Sequence, residues 1–247
     1  MPKGDLNFLA NSFRKEMGED AFSPVDIFAM ALRLKNTSIV FAKLGKNISG
    51  VFYRNEKSST IVINSEMTLG RQRFSMAHEI YHSQFDKDLG VIFCPKNIKL
   101  GDDNEKRANR FAVCLLMPEY GITERVNELK QEKGRLGIEE IIQLEQYYGV
   151  SHNALLIRLK ELELISHSEY ERFSDSITAK AEMLNYDTSL YKPTNEEKTI
   201  GYYIQLARKL HSEGKMSDSK FKEILEDAFV GELADEDSVV LGEDTFE

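Results

Sequence analysis

Between Arg71 and Phe85 the residues Phe74, Ala77, His78, Tyr81, His82 and Phe85 recur at spacings of three and four, the period of one helix face. This stripe constrains the fold more than any other feature, because a helix that turns it inward carries two imidazoles into a core. Buried polar groups need partners, so whatever packs on the stripe must supply acceptors or an ion. Residues one turn apart stand about 5–6 Å from each other at Cβ, close enough for His78 and His82 to converge on a single ion. Glu79 sits at the edge of the stripe, about 60° from His82 on a wheel of about 100° per residue.

His78-Glu79-Ile80-Tyr81-His82 has the form His-Glu-x-x-His: two ligands, with a carboxylate in reach of a water on the ion. The plainer alternative is a pair of satisfied core histidines, and the pair alone does not separate the two. A third ligand on another element would, since a catalytic zinc takes three protein ligands and keeps one position open. The helical pattern of Asp103–Leu116 places Glu105, Ala108, Asn109, Ala112 and Leu116 on one narrow face. The small residues beside Glu105 let that helix approach the histidine helix closely, while Lys106, Arg107 and Arg110 point elsewhere. Asn109, one turn after Glu105, is placed to accept a proton from a ligand imidazole. Taken alone, Glu105 is equally explained as a helix-start acid favoured by the dipole. Asp88 is a rival third ligand, but its turn would demand a positive φ at Phe85, a poor position for a bulky residue.

The surrounding pattern indicates an α+β fold. Leu6, Phe8, Leu9, Phe13 and Met17 suggest a first helix, and a second begins with Ser23 as N-cap and Pro24 at its first position. Ser38-Ile-Val-Phe-Ala, Gly50-Val-Phe-Tyr-Arg and Thr60-Ile-Val-Ile-Asn are short and rich in β-branched and aromatic residues, predicting a small three-stranded antiparallel sheet. After Asn64 the periodicity predicts helices over 71–85, 103–116, 122–130, 138–148, 151–164, 170–184, 195–211 and 217–229. Thr194 and Ser217 are the expected N-caps of the last two. The expected organisation is a core over 1–120 that carries the paired histidines, a helix-turn-helix-like unit over 121–166, and a helical region with an acidic tail over 167–247.

At 247 residues, with 41% apolar and 30% charged side chains, the chain can bury a sizeable core and is neither collagen-like nor disordered. No apolar run is long enough to span a membrane, and the N-terminus lacks a signal-peptide hydrophobic stretch, so a cytoplasmic protein is expected. Cys94 and Cys114 are too few for a disulfide scaffold or an all-cysteine zinc site. The net charge of −9 belongs to the tail: nine acids and no Lys or Arg lie between Glu226 and Glu247, and the rest of the chain is formally neutral. A neutral body gives no broad attraction for nucleic acid. In the helix-turn-helix-like unit, Arg158 and Lys160 share the second helix with Glu161 and Glu163, a weak phosphate-contacting face. Packing or substrate docking is the expected role of that unit, and packing or capping that of His152.

Ser49-Gly-Val-Phe-Tyr-Arg, Ile61-Val-Ile-Asn64, Phe74-Ser-Met-Ala-His-Glu-Ile-Tyr-His82, Glu105-Lys-Arg-Ala-Asn-Arg-Phe-Ala112 and Leu115-Leu-Met-Pro118 together resemble the ImmA/IrrE metallo-endopeptidases over roughly residues 20–165. The resemblance implies a compact gluzincin-like core in which His78, His82 and Glu105 bind one zinc per chain and Glu79 is the general base. Manganese is the other ion that such a His/His/Glu set accepts. It also implies site-specific cleavage of a helix-turn-helix repressor, releasing stress-response or mobile-element genes. The competing reading is a non-catalytic regulator that binds DNA or protein around a structural or vestigial metal site. An open fourth position would favour the enzyme, a closed one the regulator.

Overall fold

The computed structural model describes residues 3–86, 90–95, 103–175 and 177–228. Asp88 and the acidic tail beyond Ala228 lie outside them. The chain opens with α1 (Lys3–Glu16) and α2 (Ile27–Leu32), then enters β1 (Thr37–Ala42), β2 (Ile48–Arg54) and β3 (Ser59–Asn64). Helix α3 (Leu69–Phe85), strand β4 (Gly90–Pro95), and helices α4 (Asp103–Leu116), α5 (Glu119–Lys133), α6 (Ile138–Tyr148) and α7 (His152–Glu161) follow. The remainder comprises α8 (His167–Phe173), α9 (Thr178–Met183), a 3₁₀ turn at Ser189–Tyr191, β5 (Lys198–Gly201), α10 (Tyr202–Ser212) and α11 (Asp218–Asp227).

The α+β expectation holds, but the sheet is larger and mixed: five strands in the order β4-β2-β3-β1-β5. Strand β1 runs parallel to β3, with Ile39 opposite Ile61, while β2 pairs antiparallel with both β3 and β4 and β5 pairs antiparallel with β1. Alternation within each strand fixes which face is buried, and Ile39, Phe41, Phe52, Ile61 and Ile63 do turn inward. It says nothing about neighbours, so the insertion of β3 between β1 and β2 is not legible in it. Strand β5 falls where the periodicity predicts a continuous helix over 195–211. The β-branched pair Thr199-Ile200 extends the chain, and Gly201, at φ +91, reverses it before α10 begins. Thr194 does not cap a helix; its hydroxyl pairs with the Gln72 amide of α3. The expected helix 170–184 is split into α8 and α9, and α8 begins earlier, capped by Ser166 and Glu169. Ser217 caps α11 through the Lys220 amide as expected, whereas α2 is capped by Asp26, not Ser23.

The site lies in a stack of layers. The sheet packs on α3, α3 on α4, and α4 on α1. Helix α3 is therefore central and buried almost all round from Gly70 to Ser83, not along one stripe. One side meets α4, where Tyr81 and Phe85 rest on Phe111 at 5.6 and 5.3 Å between ring centres. The other meets β2, whose Arg54 donates to the carbonyls of Ser83 and Asp86 at the helix end. Ala108 and Ala112 of α4 are fully buried, so the close approach of the two helices rests on small side chains. Arg14 of α1, also buried, ties the stack together by donating to the carbonyls of Asp20, Ser23 and Leu115.

Candidate metal centre

Helical period alone brings His78 and His82 to one side of α3, and the α3–α4 packing brings Glu105 against them. The two Nε2 atoms stand 3.0 Å apart. Glu105 Oε2 lies 3.3 Å from His78 Nε2, and Oε1 lies 3.2 Å from His82 Nε2. Each imidazole is held from behind: His78 Nδ1 faces Asn109 Oδ1 at 3.0 Å and His82 Nδ1 faces Asp86 Oδ2 at 2.6 Å. Because both acceptors take the Nδ1–H, the Nε2 lone pairs of both rings point at the same space. Two lone pairs at 3.0 Å repel unless a cation or a shared proton lies between them.

Burial would lower the pKa of His82, but hydrogen bonds to Glu105 and Asp86 and the charges of Glu79 and Glu105 outweigh it and push the group up to about 9. Burial would raise Glu105, and the hydrogen bonds from His78 and His82 instead bring it down to about 2. The pocket is built for positive charge. Ligands about 2.0–2.1 Å from a tetrahedral ion lie about 3.3 Å apart, close to the separations seen here, so the residues fit a divalent metal.

Glu79 takes up a position that the helical wheel understates. It is fully buried against the sheet, and neither carboxylate oxygen has a hydrogen-bond partner. Burial raises its pKa, against the pull of the two imidazoles and the Cys94 thiol. Room for it comes from Gly50 of β2, where any Cβ would overlap Glu79 Oε1.

Three further residues belong to the cluster that sequence reasoning does not place there. Cys94 on β4 offers a sulfur within 4.8 Å of the ligand atoms of His78, His82 and Glu105, and is itself buried. Counting cysteines for an all-cysteine site hides it; its place two residues after Ile92 in a short apolar run is the available signal. Asp86, one turn after His82, holds the position behind the ring, while the rival acid Asp88 lies outside the described residues. Arg107 does not point away from α3: its Nε donates to the Tyr81 hydroxyl at 2.9 Å, and that hydroxyl donates to Asn104. Elsewhere, His152 is flanked by Glu145 Oε1 at 2.5 Å and the Phe173 carbonyl at 2.7 Å, and Arg158 is buried, donating to the Met117 carbonyl and Asn7. Arg158 is thus not on a surface that could meet phosphate. No helix among the described residues is long and apolar enough to cross a membrane.

The model of the IrrE N-terminal-like domain, peptidase family M78, matches residues 34–160, just over half of the chain and all of the stretch that carries the cluster. The chain belongs to this family. Its His78, His82, Cys94 and Glu105 supply a largely buried group of atoms able to hold a metal. It is also similar to "Uncharacterized immunity region protein 2" of Bacillus phage phi105, with 28% identity over 93 residues, 37% of this chain and 59% of the relative. The match thus spans less than two thirds of that curated relative's length.

Proposed function

We propose that this M78 member is a zinc-dependent endopeptidase that makes site-specific cuts in a helix-turn-helix repressor. The observation that carries the chemistry is the pair of Nε2 atoms converging with Glu105 beside a buried carboxylate that has no other partner. In this reading His78, His82 and Glu105 are the ligands, Asn109 and Asp86 orient the imidazoles, and Glu79 is the general base. A divalent ion held by these residues would supply Lewis-acid polarisation of a carbonyl and activation of a water. Glu79 accepts the proton of the attacking water and hands it to the leaving amine, so that water is added across the peptide bond. The substrate backbone pairs with β4, the edge strand beside the cluster, which fixes the height of the scissile bond. The opposite edge, β5, packs against α10.

Restriction to a repressor rests on two supports. The phage relative is named for an immunity region, which favours a regulatory over a digestive role. The α6–α7 unit, with its second helix largely buried, suits docking of a folded partner better than insertion into a DNA groove. The competing regulator draws its support from Cys94, a fourth donor that could close the site. Co-incubation of the zinc-loaded full chain with a helix-turn-helix repressor encoded beside its gene, followed by mass spectrometry of fragments, tests the reading. One or a few cuts are expected. Operator binding by this chain with no cleavage of the repressor would favour the regulator.

A further inference from the structure

We propose that the Cys94 sulfur is an exchangeable fourth ligand of this site, closing it at rest and withdrawing when another donor enters; this rests on the metal-site reading above. Four observations carry it. The sulfur is within 4.8 Å of the atoms of His78, His82 and Glu105. A sulfur about 2.3 Å from a tetrahedral zinc lies about 3.6 Å from a nitrogen ligand, so a small side-chain adjustment would complete the set. A bulge in β2 aims it there: the register slips between Ile48 and Gly50, setting Gly50 against Cys94, and the Ser49 hydroxyl donates to the Cys94 carbonyl at 3.2 Å. Glu79, fully buried, faces the same space beside the Cys94 thiol, so a sulfur occupying it takes the place of the water that Glu79 would activate.

Closure is conditional on the metal. A dication held by His78, His82 and Glu105 would draw the nearby sulfur in as a thiolate, since a coordinating thiol is deprotonated outright. The exchange is ligand substitution without redox: the thiol releases a proton to solvent as sulfur arrives and a water departs, and the reverse step restores both. Opening is mechanically easy because β4 is an edge strand, so a chain pairing with it moves Cys94 directly. A thiolate in the set also biases the site toward zinc, as soft ligands disfavour manganese relative to zinc.

Cobalt(II) loaded into the full chain is the probe. Wild type should bind about one cobalt per chain and show a near-ultraviolet thiolate-to-cobalt charge-transfer band. Cys94→Ser, with Cys94→Ala as a second variant should the first fail to fold, should keep the cobalt but lose the band and narrow the preference for zinc over manganese. Acetohydroxamate added to wild type should bleach the band while cobalt stays bound. One bound cobalt without the band in wild type would overturn the inference and leave the peptidase reading intact. A band that persists with hydroxamate on the metal would overturn exchangeability. Failure to bind any cobalt would instead strike the metal-site reading itself.

Discussion

His152 and Glu145 join α7 to α6 with every polar atom answered by protein, whereas His78, His82 and Glu105 join α3 to α4 with their donor atoms turned on one another. Both are histidine–glutamate clusters between packed helices, and both are largely shielded from solvent. Around His152 one nitrogen faces a carboxyl oxygen and the other a carbonyl, an arrangement that suits a ring donating from both nitrogens. Glu145 spends its second oxygen on the Tyr191 hydroxyl at 2.8 Å. Nothing is left over to bind an ion. At the other cluster the Nδ1 atoms face Asn109 and Asp86, while the Nε2 atoms face one another and the two Glu105 oxygens. The difference between a structural histidine and a ligand therefore lies in which nitrogen the second partner holds, not in burial.

The largest expected effect breaks that comparison at Glu79, the fully buried carboxyl beside the cluster. Glu79→Gln should retain about one metal per chain and lower the cleavage rate by about 10²–10⁴-fold, the usual loss when a general base is removed. Retained metal with lost cleavage, read by elemental analysis and by fragment mass spectrometry, would mark Glu79 as a catalytic group. A variant that cleaves at a comparable rate would remove it from that role.

Much of this centre is written in local periodicity. The boundaries of α4 and α6 and the positions of β1 to β3 follow from it, and so does the shared face of His78 and His82. What periodicity leaves out is non-local. Parallel pairing of β1 with β3, and the position of Cys94 over α3, depend on which strand lies beside which. Strand β4 is hidden further by Pro95, which demotes a short apolar run as a strand and is tolerated here because β4 lies at the sheet's edge. Asn109 can be named from spacing, whereas Asp86 and Gly50 cannot, the first lying just past a helix end whose geometry sets its reach.

A smaller effect should come from the residues behind the ligands. Asn109→Ala removes the acceptor that faces His78 Nδ1 and leaves all three ligand atoms in place. Metal affinity should fall by about 10–100-fold, the common cost of losing an orienting partner. Competition against a chromophoric chelator measures it, with Glu145→Gln as the matched change at the other cluster. Glu145→Gln should destabilise the fold and leave metal affinity unchanged; a comparable loss of affinity there would erase the distinction between the two clusters.

The smallest effect concerns pH at His152. Burial works against the charge of this ring, but the hydrogen bond and charge of Glu145 outweigh it and hold its pKa above the ordinary 6.5. A group whose pKa is raised by folding contributes stability that is fully present below its unfolded value and fades as pH climbs through its folded value. One proton limits the slope to about 1.4 kcal/mol per pH unit. Unfolding of wild type, compared with His152→Gln at a series of pH values upward from about 6, should therefore show the gap between them closing. Zinc-loaded protein suits the measurement best, since His78 and His82 then carry the ion in place of a proton and drop out of the titration. A gap that widened with rising pH would mean that His152 is neutral in the fold, and that one of its two neighbours faces a lone pair instead of an N–H.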